Sequence, residues 1–340
     1  MKTLLIGAGA IGGTVAVLTK HAGYDVRLLC HSKETKDLIE RDGFYLHGAL
    51  GECHEVFTCY DSYEALGDET FDLIIIATKY QAMYDAAKKA LPYLAEDGLV
   101  VGMQNGMLTE SLAEIVGTKH AVGVMIGFGA TRNAANDVTM TSLGEFYIGM
   151  LDGYHAAKLD ELCEMFNKIL PTQISADITR EQYSKLIINS CINATAAITG
   201  EVLGKMVDDR RARTLYLAVA REGMYVAKAM NIDVPKYGKL LDYRLLMLMD
   251  NAPYNSICRF VVMIVSKLKY KDVKPSTLQS LEKGQKTEID AFNGYFVEKG
   301  KELGVETPVN EKLVAMIHEI EDGKRTISPD NLEEFRGMLY

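Results

Sequence analysis

The chain has 340 residues, 48% of them hydrophobic and 24% charged, with a net charge of −9. That length and balance exclude a disordered chain and a small scaffold that needs staples, and they predict about two domains. The acid excess gives no general attraction for nucleic acid or anionic lipid, and no apolar run approaches the ~20 residues of a membrane helix.

The first half alternates strand and helix patterns. Thr3–Ile6, Asp25–Leu29, Phe71–Ala77, Gly98–Met103 and Ala121–Gly127 read as apolar strands. Ile11–His21, Gln81–Leu91 and Leu108–Val116 read as helices. Uninterrupted aliphatic runs of this kind suit strands covered on both faces. Leu143–Gly149 is expected as a late strand before a helix over Ala156–Leu170. The alternation predicts a doubly wound parallel sheet of the Rossmann type.

After Gln173 the strand patterns stop. Arg180–Ile198, Arg210–Met230, Tyr237–Met249, Leu278–Glu282, Ile289–Gly304 and Val309–Glu321 all read as helices. Ser276 stands as an N-cap with Gln279 at the third helical position, Gly304 as a C-cap, and Thr307-Pro308 as a helix start. The expected division is an α/β domain over residues 1–172 and an all-helical domain over 173–340.

Gly7-Ala8-Gly9-Ala10-Ile11-Gly12 is a G-x-G-x-x-G motif between a strand and a helix. In that context Gly7 allows the turn, Gly9 lets backbone approach a pyrophosphate, and Gly12 lets the helix pack on the strand. Gly7, Gly9, Ala10, Ile11 and Gly12 are therefore candidate dinucleotide-binding residues. The second strand ends in Cys30-His31-Ser32-Lys33, with no acid at the ribose-reading position. His31 and Lys33 there suit a 2′-phosphate, so NADPH is expected, with NAD possible.

Lys79 and Asn105 each follow a buried strand, where open parallel sheets bind ligands. On the helix over Arg180–Ile198, Lys185, Asn189 and Asn193 recur every fourth residue and line one face of an otherwise apolar helix. Burying such groups is costly unless they bond to something or do chemistry. No histidine lies between His155 and His318. Lys185 is thus the best proton donor that the helical domain offers.

The six cysteines form no Cys-x-x-Cys pair, and no His/Cys cluster has ligand spacing, so no metal site is expected. The N-terminus reads as a strand rather than a secretion signal, and a cytoplasmic location is expected.

Taken together, the glycine loop, Thr78-Lys79, Gln104-Asn105-Gly106, the Lys185-to-Asn193 helix, Lys274-Pro275-Ser276-Thr277-Leu278-Gln279 and Thr287-Glu288-Ile289-Asp290 resemble the ketopantoate reductase family (2-dehydropantoate 2-reductase). The resemblance spans nearly the whole chain. It implies NADPH-dependent reduction of ketopantoate to pantoate, a step towards coenzyme A. It implies that Lys185 is the general acid and that the Glu288 carboxylate engages the substrate hydroxyl. Asn105, Asn189, Asn193 and Ser276 would bind substrate, and Lys79 would serve the cofactor side. A homodimer is also implied.

Two positions differ from the family pattern. Many members have Arg where this chain has His31, and some carry an Asn that Gly200–Gly204 lacks. An NAD(P)-dependent D-2-hydroxyacid dehydrogenase acting on another bulky 2-keto acid is the alternative, with residues near Asn251–Arg259 deciding between them. A non-catalytic NADPH sensor is a second alternative; it would need neither Lys185 nor Glu288.

Overall fold

The computed structural model describes residues 1–237, 242–248, 260, 264 and 274–338. The described chain opens with β1 (Thr3–Ile6), α1 (Ala10–His21), β2 (Val26–Leu29), α2 (Lys33–Asp42), β3 (Phe44–Gly48), β4 (Cys53–Glu55) and β5 (Thr58–Tyr60). It continues through β6 (Phe71–Ile76), α3 (Met83–Ala90), β7 (Leu94–Gly102), α4 (Thr109–Val116), β8 (Ala121–Ile126), β9 (Gly129–Ala134), β10 (Asp137–Ser142), β11 (Phe146–Gly149), α5 (Ala157–Asn167) and β12 (Thr172–Ile174). Then follow α6 (Ile178–Thr199), α7 (Leu203–Met206), α8 (Arg210–Ala229), α9 (Ser276–Glu282), α10 (Asn293–Leu303) and α11 (Pro308–Glu321).

The main sheet has the order β12-β11-β8-β7-β6-β1-β2-β5. It is parallel across β8-β7-β6-β1-β2-β5, and β11 joins β8 antiparallel. Side chains alternate across a strand, so each apolar run feeds two cores. Leu4, Ile6, Ile74, Ile76 and Val100 enter one cluster, while Leu5, Leu73, Ile75 and Val101 enter the other. This is why these strands read as unbroken aliphatic runs.

A second sheet, β4-β3-β10-β9, was not expected from the sequence. Its strands give weak signals because they are short or largely solvated; β9 is wholly exposed or half-buried. The small sheet packs on α1, where a Cβ on Gly13 would stand 2.6 Å from the Phe44 ring.

The chain forms two compact units, Met1–Gln182 and Tyr183–Tyr340. The division falls at Gln182 rather than at residue 172, for three local reasons. β12 pairs with β11 at the sheet edge. Ile178 packs beneath Gly149, whose Cβ would meet it at 3.0 Å. Thr109 donates to the Gln182 side-chain oxygen at 2.8 Å.

In the second unit α6 is held on several sides. The Tyr183 hydroxyl donates to the Gly223 carbonyl at 2.8 Å, and Ser184 donates to the Pro235 carbonyl at 3.0 Å. Cys191 donates to the Tyr216 carbonyl at 3.3 Å. The helix expected over Ile289–Gly304 is interrupted: a 3₁₀ turn at Ile289–Ala291 precedes α10. Phe292 is fully buried at that break, with φ −104° and ψ −93°. Of the helix expected over Tyr237–Met249, Tyr243–Leu248 is 3₁₀, while 238–241 and 249 lie outside the described residues. So do Asn251–Arg259. No helix among the described residues is long and apolar enough to cross a membrane.

Candidate active site

The glycine loop has the geometry that its motif requires. Gly7 has φ +98°, and a Cβ there would stand 2.8 Å from the Ala77 and Thr78 backbone. A Cβ on Gly12 would stand 2.1 Å from the Gly7 carbonyl oxygen, so only glycine lets α1 sit this close to β1. Gly9 differs: nothing lies within 4 Å of its missing side chain. Gly9 is also the N-cap of α1, with no side-chain cap and no acid in the first turn. Open space meets uncapped N–H groups at the positive end of a helix dipole, which suits a pyrophosphate.

His31 is exposed after β2, and Lys33 is the first, exposed residue of α2. Ser32 caps α2 by accepting from the Thr35 N–H at 3.3 Å. No acid stands at the end of β2 itself, but one follows this pair in the chain. The Glu34 carboxylate lies in the first turn of α2 and is pulled below its ordinary range. Its causes begin with its own backbone N–H and Ser32 and include the charges of His31 and Lys33. The sequence reading stopped at Lys33 and so missed it.

At the ends of β6 and β7, Lys79 is exposed and Asn105 half-buried. Gln104 ties the two strand ends together, donating to the Ile76 carbonyl at 3.0 Å and the Thr78 carbonyl at 3.2 Å. The buried Gln104 side-chain oxygen and the Thr78 hydroxyl have no partner among the described residues. Buried acceptors and hydroxyls left in this state are rare and suit ligand contact.

In the second unit, Lys185 and Asn189 are half-buried and Asn193 is buried, as a helix with one polar line requires. Burial pulls the Lys185 ammonium down to about 7, against the opposing attraction of the Glu288 carboxylate. A lysine at that value exchanges protons near neutrality.

Asn193 and Ser276 are joined differently from their sequence reading. Ser276 is the first residue of α9 and forms no N-cap bond; Pro275 occupies the cap position. The Ser276 hydroxyl instead donates to the Asn193 side-chain oxygen at 3.1 Å. The same oxygen accepts the Thr277 N–H at 3.3 Å, so α6 caps α9 from outside. The Asn193 amide nitrogen donates to the Asn189 carbonyl at 3.1 Å. The same device recurs at α11, where buried Glu222 accepts the Val309 and Asn310 N–H groups, each at 2.9 Å.

Residues 3–153 match the ketopantoate reductase PanE/ApbA family, and residues 177–321 match its C-terminal domain. The chain belongs to the ketopantoate reductase family. That makes it a member of a family of oxidoreductases, and its relatives are aligned over nearly their whole length. A 2-dehydropantoate 2-reductase of Archaeoglobus fulgidus is 25% identical over 95% of this chain and 98% of its own. One from Pyrococcus abyssi is 28% identical over 93% of this chain and 97% of its own.

Among solved structures, a PanE/ApbA family ketopantoate reductase from Ralstonia eutropha JMP134 aligns with a TM-score of 0.80. It is 23% identical and covers 96% of this chain and all of its own. D-mandelate dehydrogenase, solved as a ternary structure with NADH and anilino(oxo)acetate, aligns equally well. Its TM-score is 0.80 at 22% identity, over 95% of this chain and all of its own. Members of this fold thus differ in the compound they are solved or named with.

Proposed function

We propose that the protein reduces 2-dehydropantoate to pantoate at the expense of NADPH, with Lys185 as general acid. The observation that carries the proposal is Lys185 on α6: a half-buried lysine drawn down to about 7 by burial, within the field of the Glu288 carboxylate that precedes the Ile289–Ala291 turn. A pure sensor has no need of a desolvated lysine, which costs stability whenever it is charged. The open space at Gly9 and the uncapped start of α1 would hold the pyrophosphate, with Ala10 and Ile11 lending N–H groups. His31 and Lys33 would meet the 2′-phosphate, and Lys79 and Asn105 the nicotinamide side. NADPH, when bound, supplies the hydride.

The protein's own residues do the rest. Lys185 gives its proton to the oxygen that gains negative charge as the ketone is reduced, and recovers one from solvent between turnovers. Glu288 accepts a hydrogen bond from the substrate hydroxyl. Asn189 donates to the substrate, while Asn193 holds the Ser276 proton and leaves the Ser276 oxygen to accept from the substrate at the start of α9.

Steady-state kinetics of Lys185→Ala with 2-dehydropantoate and NADPH test this. Loss of a general acid lowers kcat by about 10²–10⁴, with NADPH affinity unchanged. A kcat near that of the unaltered protein places the proton donor elsewhere.

A second reading keeps the chemistry and changes the substrate: another bulky 2-keto acid with NADH. The Glu34 carboxylate beside His31 and Lys33 favours it, because it repels a 2′-phosphate. A screen of 2-keto acids against both cofactors separates the two.

A further inference from the structure

The first unit carries a grouping of donors far from the glycine loop and unused by the proposed reaction. His21 is the last residue of α1, and Cys53 and Glu55 belong to β4. Alternation along the strand puts Cys53 and Glu55 on one face. His54, between them, turns the other way: its ring centroid lies 4.3 Å from that of Tyr45 with the planes tilted by 37°, and its Nε2 lies 2.8 Å from the Asp42 carbonyl. The His21 Nδ1 stands 2.8 Å from the Glu55 carboxylate, and the nitrogen, the Cys53 sulfur and the carboxylate oxygen all lie within 4.8 Å of one another. Cys53 and Glu55 are half-buried and His21 is exposed, so the group opens to solvent on one side.

We propose that His21, Cys53 and Glu55 bind a zinc-class divalent ion, with water in the fourth position.

The donor set decides the class of ion. A thiolate, an imidazole and a carboxylate together suit zinc or cobalt rather than the all-oxygen preference of calcium or magnesium. Zinc bonds of about 2.0–2.3 Å require donors roughly 3.5 Å apart. The donors lie between 2.8 Å and 4.8 Å apart, a spacing that brackets that value. Cys53 binds an ion as its thiolate, so binding releases the thiol proton and strengthens as pH rises.

The site has a structural consequence. α1 runs from Gly9 at its cap to His21 at its end, about 18 Å away. An ion there ties the end of α1 to β4, an edge strand of the small sheet, and touches nothing at the pyrophosphate end. No local pattern marks the site, because His21 is remote from Cys53 in the chain and joins it only through the packing of α1 on the small sheet.

The test is cobalt titration of the chelator-treated full chain, followed by absorbance. The expected result is one cobalt per chain, with a sulfur-to-cobalt charge-transfer band in the near ultraviolet. Zinc then displaces the band stoichiometrically. Cys53→Ser abolishes the band and His21→Ala weakens the affinity at least tenfold. Circular dichroism checks that both are folded, and both keep the reductase activity of the unaltered chain. Absence of the band in the unaltered chain overturns the proposal. So does a band that survives either substitution at full strength, since the ion is then on another thiol.

Discussion

The glycine loop of the first unit and the lysine helix of the second, two parts of the proposed site, would recognise ligands by different physics. In the loop the donors on offer are backbone N–H groups, and the side chains matter by being absent. On α6 they are side chains whose properties depend on what the rest of the unit packs around them. A loop of the first kind is specified by short-range sequence: Gly7, Gly9 and Gly12 each answer a steric demand within a few residues. A site of the second kind exists only after folding, because Lys185 is an ordinary surface-type lysine until burial draws it down to about 7.

The sharpest way to break the comparison is at two glycines of the same motif. Gly9→Asp adds a carboxylate into open space, so the fold should survive with its melting temperature little changed. Dinucleotide affinity should collapse. Two like charges about 4 Å apart near a protein surface repel by ~4 kcal/mol, which is about a thousandfold. Gly12→Ala drives a methyl against the Gly7 carbonyl and should lower the melting temperature instead, as overpacking by about 1–3 kcal/mol or more does. Fluorescence titration with NADPH and a thermal melt on each variant distinguish the effects. Unchanged NADPH affinity in folded Gly9→Asp removes the dinucleotide assignment.

This contrast also explains what the sequence made legible. The parallel strands β1, β2, β6, β7 and β8 and the helices α1, α3 and α4 were readable because each of those strands feeds two cores and so is largely apolar; the short edge strand β5 and the largely exposed α2 were not. The small sheet was not readable: β9 and much of β3 and β4 face solvent, and their pairing is fixed by packing on α1. Lys185, Asn189 and Asn193 were visible as a polar line. The partner of each was not. That Asn193 caps α9 and fixes Ser276, rather than Ser276 capping its own helix, depends on contact between residues 193 and 276, which no local pattern encodes. Glu34 was within reach of a reading carried one residue past Lys33.

Within the second unit, Glu288→Ala separates substrate recognition from proton transfer. Losing a charged hydrogen-bond acceptor costs about 1.5–3 kcal/mol, roughly 10- to 100-fold in kcat/KM. The loss should fall on 2-dehydropantoate and spare a 2-keto acid lacking the terminal hydroxyl, because such an analogue has nothing to offer the carboxylate. Equal losses on both substrates would withdraw the hydroxyl-recognition role, leaving Lys185 as the only supported chemistry.

Lys185→Met sharpens the comparison from the stability side. In the unfolded chain a lysine titrates near 10.4, while in the fold Lys185 titrates at about 7. Below pH 7 both states hold the proton, and the fold bears the full cost of a buried charge. As pH rises from 7 towards 10.4 the folded lysine is neutral and the cost disappears. The methionine variant should therefore melt higher than the unaltered protein at pH 6, by about 2–4 °C for each kcal/mol relieved. The gap should narrow steadily by pH 10. Melts across that range, with Glu288 left intact, check it; a gap independent of pH would mean that the methionine acts by packing alone.

The smallest expected effect lies back in the first unit, where in the proposed function side chains rather than backbone would choose between the two cofactors. Lys33 presents positive charge after β2 with His31 two residues before it, and the Glu34 carboxylate interacts with both. NADPH adds a 2′-phosphate to that neighbourhood and NADH does not. Removing the carboxylate by Glu34→Gln frees the Lys33 cation and lifts a repulsion, and both changes act only on the phosphate-bearing cofactor. All three side chains are exposed, so solvent and salt screen the change. A two- to fivefold rise in the kcat/KM ratio of NADPH over NADH is about what exposed charges deliver. Lys33→Ala should move the same ratio the opposite way. The shifts should fade as salt is added, since Debye screening shortens to about 3 Å at 1 M. A ratio that neither substitution moves would mean that the 2′-position does not lie at the end of β2, and the choice of NADPH in the proposed function would lose its support while the glycine loop kept its own.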